Sequence, residues 1–165
     1  MSVALSSIRA AAIGVGTSLA MVFAAGSLAL DRTPSGIDAG SAGHAGAQMP
    51  DGTRIGGASP DTGRPMFTTG ADAPLHSFGL AQAYCANLDA HGHRDWRMPT
   101  KAELNVLFQN RAAIGGFDTT GSDPAGWYWS SSRSYYLLAW AQRFSDGYQL
   151  TDFAHLQSTL RCVRG

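Results

Sequence analysis

The sequence predicts an α+β fold in which two helices precede a small twisted antiparallel sheet, and three observations predict it. Phe78, Ala81, Cys85 and Leu88 recur along one stripe at helical spacing. A capping box runs from Thr100 to Glu103, directly behind Pro99. Downstream, the pieces YWSSS, AWAQRF and TLRCVR have the aromatic and β-branched content and the alternation of strands, with Ser, Asp and Gly between them. A length of 165 residues gives room for one domain, and 44% hydrophobic with 15% charged content is globular. Twelve basic residues balance twelve acidic ones without any Lys/Arg cluster, so the positive field that nucleic acid or an anionic membrane surface requires is missing.

Arg9 is followed by residues 10–30 without a charge, ending at Asp31-Arg32. This is an export signal, long for a cleaved signal peptide and just long enough to span a bilayer. Ser27-Leu28-Ala29 offers small residues for cleavage, and Gly14, Gly16, Thr17 and Ser18 weaken the stretch as an anchor; cleaved leader and retained anchor both fit. Either way the remainder is carried out, to the periplasm or the cell surface. Export gives the two cysteines meaning, because an oxidising compartment lets an even pair close, and Cys85 is expected to bridge to Cys162. The chain-entropy model assigns roughly 4–5 kcal/mol to so long a loop.

Residues 31–48 are Gly/Ala/Ser-rich and read as a flexible linker, with the domain expected over residues 49–165. Turn signals at Pro50-Asp51-Gly52 and Pro60-Asp61-Thr62-Gly63, with strand candidates at Arg54-Ile55 and Met66-Phe67-Thr68, predict an opening hairpin. Ser77 is a candidate N-cap for a helix to about Ala90, with Cys85 on its core face and Gly92 as a left-handed cap. His91 and His93, flanked by Asp89 and Asp95, read as a solvated helix exit, since no third metal ligand is suggested. Trp96, between charged neighbours at an element junction, reads as a core plug. The second helix presents Leu104, Leu107 and Phe108 and ends near Gly115-Gly116; residues 118–126 form a loop.

The segments 133–138 and 148–158 mix Tyr, Leu, Phe, Asp, His and Thr with neither period 2 nor period 3.6, so no single face buries them. Four consecutive large apolar residues, Tyr135 to Leu138, cannot all point inward from one strand, and at least half are expected at the surface. Tyr supplies contact area at low entropy cost, so these segments read as a binding surface held up by the scaffold.

The runs DWRMPTKAELNVLF (residues 95–108), GWYWSSS (126–132), AWAQRFSDG (139–147) and LRCVRG (160–165) together resemble the bacterial Lcl C-terminal domain family, a branch of the C-type-lectin-like fold related to the formylglycine-generating enzymes. The resemblance covers about residues 65–165. It implies adjacent N- and C-terminal strands and a disulfide from the first helix to the last strand, the elements on which Cys85 and Cys162 fall. The C-terminal stretch is also similar to the variable regions of proteins diversified by retroelements, in which template adenines are mutated during copying. That resemblance implies a hypervariable ligand-binding set of Ser134, Tyr135, Tyr136, Leu137, Leu138, Ala141, Tyr148, Leu150, Thr151, Asp152, Phe153 and His155, with Ala154 and Leu156 beside them. Trp140, Gln142, Arg143, Phe144, Ser145, Asp146, Gly147, Gln149 and residues 161–164 then belong to the fixed scaffold.

Catalysis is not expected. The formylglycine-generating branch needs active-site cysteines, and both cysteines here are assigned to a bridge; GxSxG, HExxH and phosphate-cradling Gly loops are absent. Ser130, Ser131 and Ser132 read as strand residues. The Glu-Pro-Asn, Gln-Pro-Asp and Trp-Asn-Asp motifs of calcium-dependent lectins are absent too, and Asp118, Ser122 and Asp123 are weak as oxygen ligands, so neither metal nor cofactor is expected. The expected function is binding a protein or surface glycan through a retroelement-diversified face. Two alternatives are a non-varying polysaccharide-binding adhesin and a degenerate formylglycine-generating type of protein.

Overall fold

The computed structural model describes residues 43–165; the apolar segment 10–30 and most of the expected linker lie outside it. The opening hairpin is present as β1 (Arg54–Ala58) and β2 (Pro65–Thr68). The fold begins slightly before residue 49, because Gly46 donates to the Ile55 carbonyl and Ile55 donates back to Ala47. These two bonds take the last expected linker residues into the domain.

β3 (Ala73–Ser77) leads into α1 (Phe78–Ala86). Ser77 is the N-cap by position, although its side chain makes no cap bond. The helix is shorter than expected, ending at Asn87, whose side-chain amide donates to the Ala83 carbonyl. Gly92 is not the helix cap. His91 (φ 57°) and Gly92 (φ 74°) form a two-residue turn closed by reciprocal Ala90 and His93 hydrogen bonds, and positive φ at both central positions is what such a turn requires. Trp96 is buried beneath it, and its indole N–H donates to the Ala90 and His93 carbonyls.

α2 (Lys101–Gln109) carries the full capping box, and α3 (Arg111–Ile114) continues it to Gly115. β4 (Trp127–Tyr135), β5 (Leu138–Arg143), β6 (Gln149–Phe153), β7 (Gln157–Leu160) and β8 (Val163–Arg164) complete the chain. A five-stranded sheet has the order β3-β7-β4-β5-β6, and a three-stranded sheet β1-β2-β8 joins the two ends of the domain. The pairing is not purely antiparallel, since β4 meets β7 in parallel at Tyr128 and Thr159. Nor are the two segments expected to be irregular wholly so: β4 runs through Tyr135 and β6 is an edge strand.

Period 2 along the central strands gives each face of the larger sheet its own core. Trp129, Ala139 and Ala141 lie under α1 with Phe78, Ala81, Cys85 and Leu160; Tyr128 and Phe144 lie under α2 with Leu104, Leu107 and Met66. The Cys85–Cys162 disulfide, with Cα atoms 5.5 Å apart, fastens α1 to the chain between β7 and β8.

Two buried ions tie these layers together. Glu103 in α2 is inaccessible to water and accepts from Arg97 (2.6 and 2.7 Å), the Ser59 hydroxyl (2.6 Å) and the Thr100 amide (2.9 Å). Burial alone raises its carboxyl, yet the Arg97 guanidinium and the other two donors outweigh that and hold it at about 2, below an ordinary 4.5. Arg161 is equally buried; it pairs with Asp72 (2.6 Å), donates to the Thr69 and Gly116 carbonyls, and lies over the Phe117 ring.

A depressed folded-state value contributes stability that is present above the unfolded value and lost as pH falls through the folded one. Glu103→Gln should therefore cost about 3 kcal/mol at neutral pH. Urea denaturation should show this gap closing between pH 4.5 and about 2.

Candidate functional site

Sequence reasoning placed twelve residues in one binding set, and the fold divides them. The β4–β5 hairpin turns at Tyr136-Leu137, and Leu138 pairs with Phe153 across β5 and β6. Ala154 donates to the Leu137 carbonyl at 2.8 Å, so the hairpin tip and the turn at residues 153–156 form one end of the sheet. Tyr135 (77% exposed), Tyr136 (82%), Leu137 (58%) and Phe153 (50%) stand there in solvent, with Leu156 beside them. Ser134 and His155 are exposed at the same end, and the Phe153 and His155 rings pack at 5.5 Å. Arg133 steadies the tip by donating to the Tyr136 carbonyl at 3.2 Å.

Strand alternation explains how so many apolar side chains stay out. On β5 the inward positions, Ala139 and Ala141, are small enough to fit under α1, whereas the large residues lie beyond the last covered pair. Leu138, Leu150, Thr151 and Asp152 are half-buried along β5 and the edge strand β6. Ala141 is a correction to the expected set. Only 3% exposed, it packs against the α1 core and cannot touch a ligand.

Tyr148 also separates from the tip. It lies at the opposite end of β6, roughly 17 Å along the strand from the Leu138–Phe153 pair by strand rise. There its ring meets Trp127 edge-on at 6.2 Å and neighbours Arg143, and it lines a groove beside α2 with Gln149. Sequence reasoning missed the polar side of this groove, Asn105 and Gln149. Gln149 was counted only as fixed scaffold; its pairing with Gln142 across β5 and β6, which the structure supplies, puts both side chains on the α2 face.

Other candidates resolve structurally. Ser130, Ser131 and Ser132 are strand residues of β4; Ser130 donates to the Trp140 carbonyl and Ser132 accepts from the Lys101 amide. His91 and His93 bind the Asp51 carbonyl and carboxylate. Asp118 accepts from the Thr120 amide and hydroxyl, which lower its carboxyl's affinity for protons. Among the described residues no group of three His, Cys, Asp or Glu has the arrangement of a metal site. Also among them, no helix is long and apolar enough to cross a membrane.

The division between tip and interior predicts opposite outcomes for two expected variable positions. Ala141→Tyr overpacks the α1 core and should cost about 1–3 kcal/mol. Tyr136→Ser should stay within about 0.5 kcal/mol. Urea midpoints of the two purified variants check both.

No curated protein matches the sequence. The family model of the Lcl C-terminal domain matches residues 60–164, from the turn of the opening hairpin to the last strand. It thus takes in all three helices, the whole larger sheet and both cysteines. That span is well over half of the chain, and the chain belongs to the Lcl C-terminal domain family.

Proposed function

We propose that this is an exported binding module whose ligand contacts the aromatic end of the sheet. The observation that carries the reading is the exposure of Tyr135, Tyr136, Leu137 and Phe153 as one contiguous patch, its two segments tied by the Ala154 to Leu137 hydrogen bond. Monomeric surfaces seldom leave a cluster of large apolar side chains uncovered without a binding role. Tyrosine rings on a stiff hairpin give a partner contact area with little rotamer entropy to lose. The family and the disulfide both fit an exported protein.

The ligand we favour is a protein rather than a sulfated polysaccharide. Arg133 is the one arginine at the tip and already bonds the Tyr136 carbonyl, whereas a polyanion is held by clustered basic side chains. A binding role also suits the cysteine chemistry better than a formylglycine-generating one, because Cys85 and Cys162 are joined and no thiol remains.

Retroelement diversification of this end is the finer part of the reading. What supports it is that the expected variable positions other than Ala141 are all exposed or half-buried, although the expected fixed set is mixed, with Gln142, Phe144, Arg161, Cys162 and Val163 buried and Ser145 and Asp146 exposed. Within the first set, residues 134–137 belong to neither core, whereas Ala154 packs against the α1 core. The test is the DNA beyond the stop codon. The reading expects a near-copy of the codons for residues 127–164, with mismatches confined to adenines and a reverse transcriptase gene beside it. Absence of the copy would leave a binder of one fixed ligand, the adhesin alternative.

A further inference from the structure

Gln142 in β5 is inaccessible to water, and its amide is held from three sides. Its nitrogen donates to the Gly147 carbonyl at 3.2 Å and to Asn105 Oδ1 at 3.0 Å, and its oxygen accepts from Gln149 Nε2 at 3.2 Å. A main-chain carbonyl can only accept, so Gly147 decides which end of the Gln142 amide is nitrogen. The decision propagates to both neighbours. Asn105 has to turn its oxygen toward Gln142 and present its NH2 elsewhere; Gln149 has to turn its NH2 inward and present its oxygen. Among the described residues, neither presented group has a partner.

Asn105 and Gln149 line the same groove of about 760 Å³, between the first half of α2 and the far end of β6 from the aromatic tip. Its charges cancel, with Lys101 on one side and Asp61 on the other. The Lys101 ammonium is itself engaged, 3.2 Å from the centre of the Trp140 ring. The Ser132 hydroxyl accepts from the Lys101 amide, and its hydrogen is free to be donated. Tyr148 supplies a largely exposed aromatic ring at the groove's edge.

We propose that this groove is a second binding site, independent of the aromatic tip, for an uncharged polyhydroxylated ligand, namely a neutral sugar residue. In it Asn105 Nδ2 donates to one hydroxyl oxygen and Gln149 Oε1 accepts from another hydroxyl. A charged ligand finds no excess of opposite charge here. An apolar ligand strips water from the fixed amide pair without replacing its hydrogen bonds, which costs free energy for each group left unpaired. Hydroxyls both donate and accept, and the C–H face of a sugar ring suits the Tyr148 ring. A peptide backbone offers the same donor and acceptor, and it is the competing occupant that the test below separates.

The amide pair makes the proposal testable by solution NMR on the isotope-labelled exported chain, titrated separately with glucose, galactose, N-acetylglucosamine and a capped trialanine peptide. At least one sugar should move the side-chain amide signals of Asn105 and Gln149 and the backbone signal of Gly147 in a saturable way, leaving Tyr135 and Tyr136 unmoved. Asn105→Asp keeps the acceptor facing Gln142 and removes the donor facing the groove, so affinity should fall about tenfold, the worth of one hydrogen bond. Gln149→Met serves as a second variant, with the rest of the spectrum reporting an intact fold, and should weaken binding likewise. The proposal is overturned by any of three results: no saturable shift with the sugars, shifts with trialanine alone, or unchanged sugar affinity in both variants. None of these bears on the aromatic tip, whose reading stands or falls on its own test.

Discussion

A guanidinium shut away from water has to find every partner inside the protein, and Arg161 imposes that condition on this fold. Asp72 supplies the countercharge; the carbonyls of Thr69 and Gly116 take further N–H groups, and Phe117 covers the plane. These partners come from the end of the opening hairpin, the approach to β3 and the loop after α3. All must be in place together, because a buried charge left unpaired is strongly destabilising. The next residue, Cys162, fastens α1 by the disulfide, and the one after it, Val163, exchanges backbone hydrogen bonds with Arg97. Three consecutive residues thus lock both helices' surroundings and the two ends of the domain onto one short stretch.

That internal locking is what frees the opposite end of the sheet. Buried Glu103 and Arg161 find all their partners without drawing on the hairpin tip, and neither core contains a residue from 134–138. The tip is held by backbone hydrogen bonds and by the Arg133 guanidinium on the Tyr136 carbonyl, none of which reads the side chains of residues 134–137. Such an end accepts varied side chains at small cost to stability, and on the proposed binding role the rigidity of the scaffold would limit the entropy lost to a partner.

Much of this was legible in the sequence. The capping box at Thr100 worked because the interaction is local, spanning three residues. The opening hairpin was legible from its turn residues and the disulfide from cysteine number and export. What was not legible depends on partners distant along the chain. Arg161 and Asp72 are 89 positions apart, and Ser59 and Glu103 are 44 apart, so nothing local marks these ions as buried. The end of α1 was overestimated because Leu88 continues the apolar stripe, although it packs on the core from beyond the helix. Ala141 was misread for a different reason. Its burial follows from period 2 in AWAQR, which pairs it with Ala139 under α1, whereas the diversification pattern considers codons and not faces.

The central claim is that the fold does not need the side chains at its aromatic end. The most direct test randomises residues 134–137, 153, 155 and 156 together, leaving core-packed Ala154 in place, displays the library on cells, and sorts for survival of protease treatment. The account predicts that most randomised sequences survive as well as the parent, while a matched library at Ala139, Ala141, Gln142 and Arg161 is almost wholly lost. Survival restricted to tips that keep the parental aromatic and apolar residues would contradict it, and would make the exposed end part of the folding core.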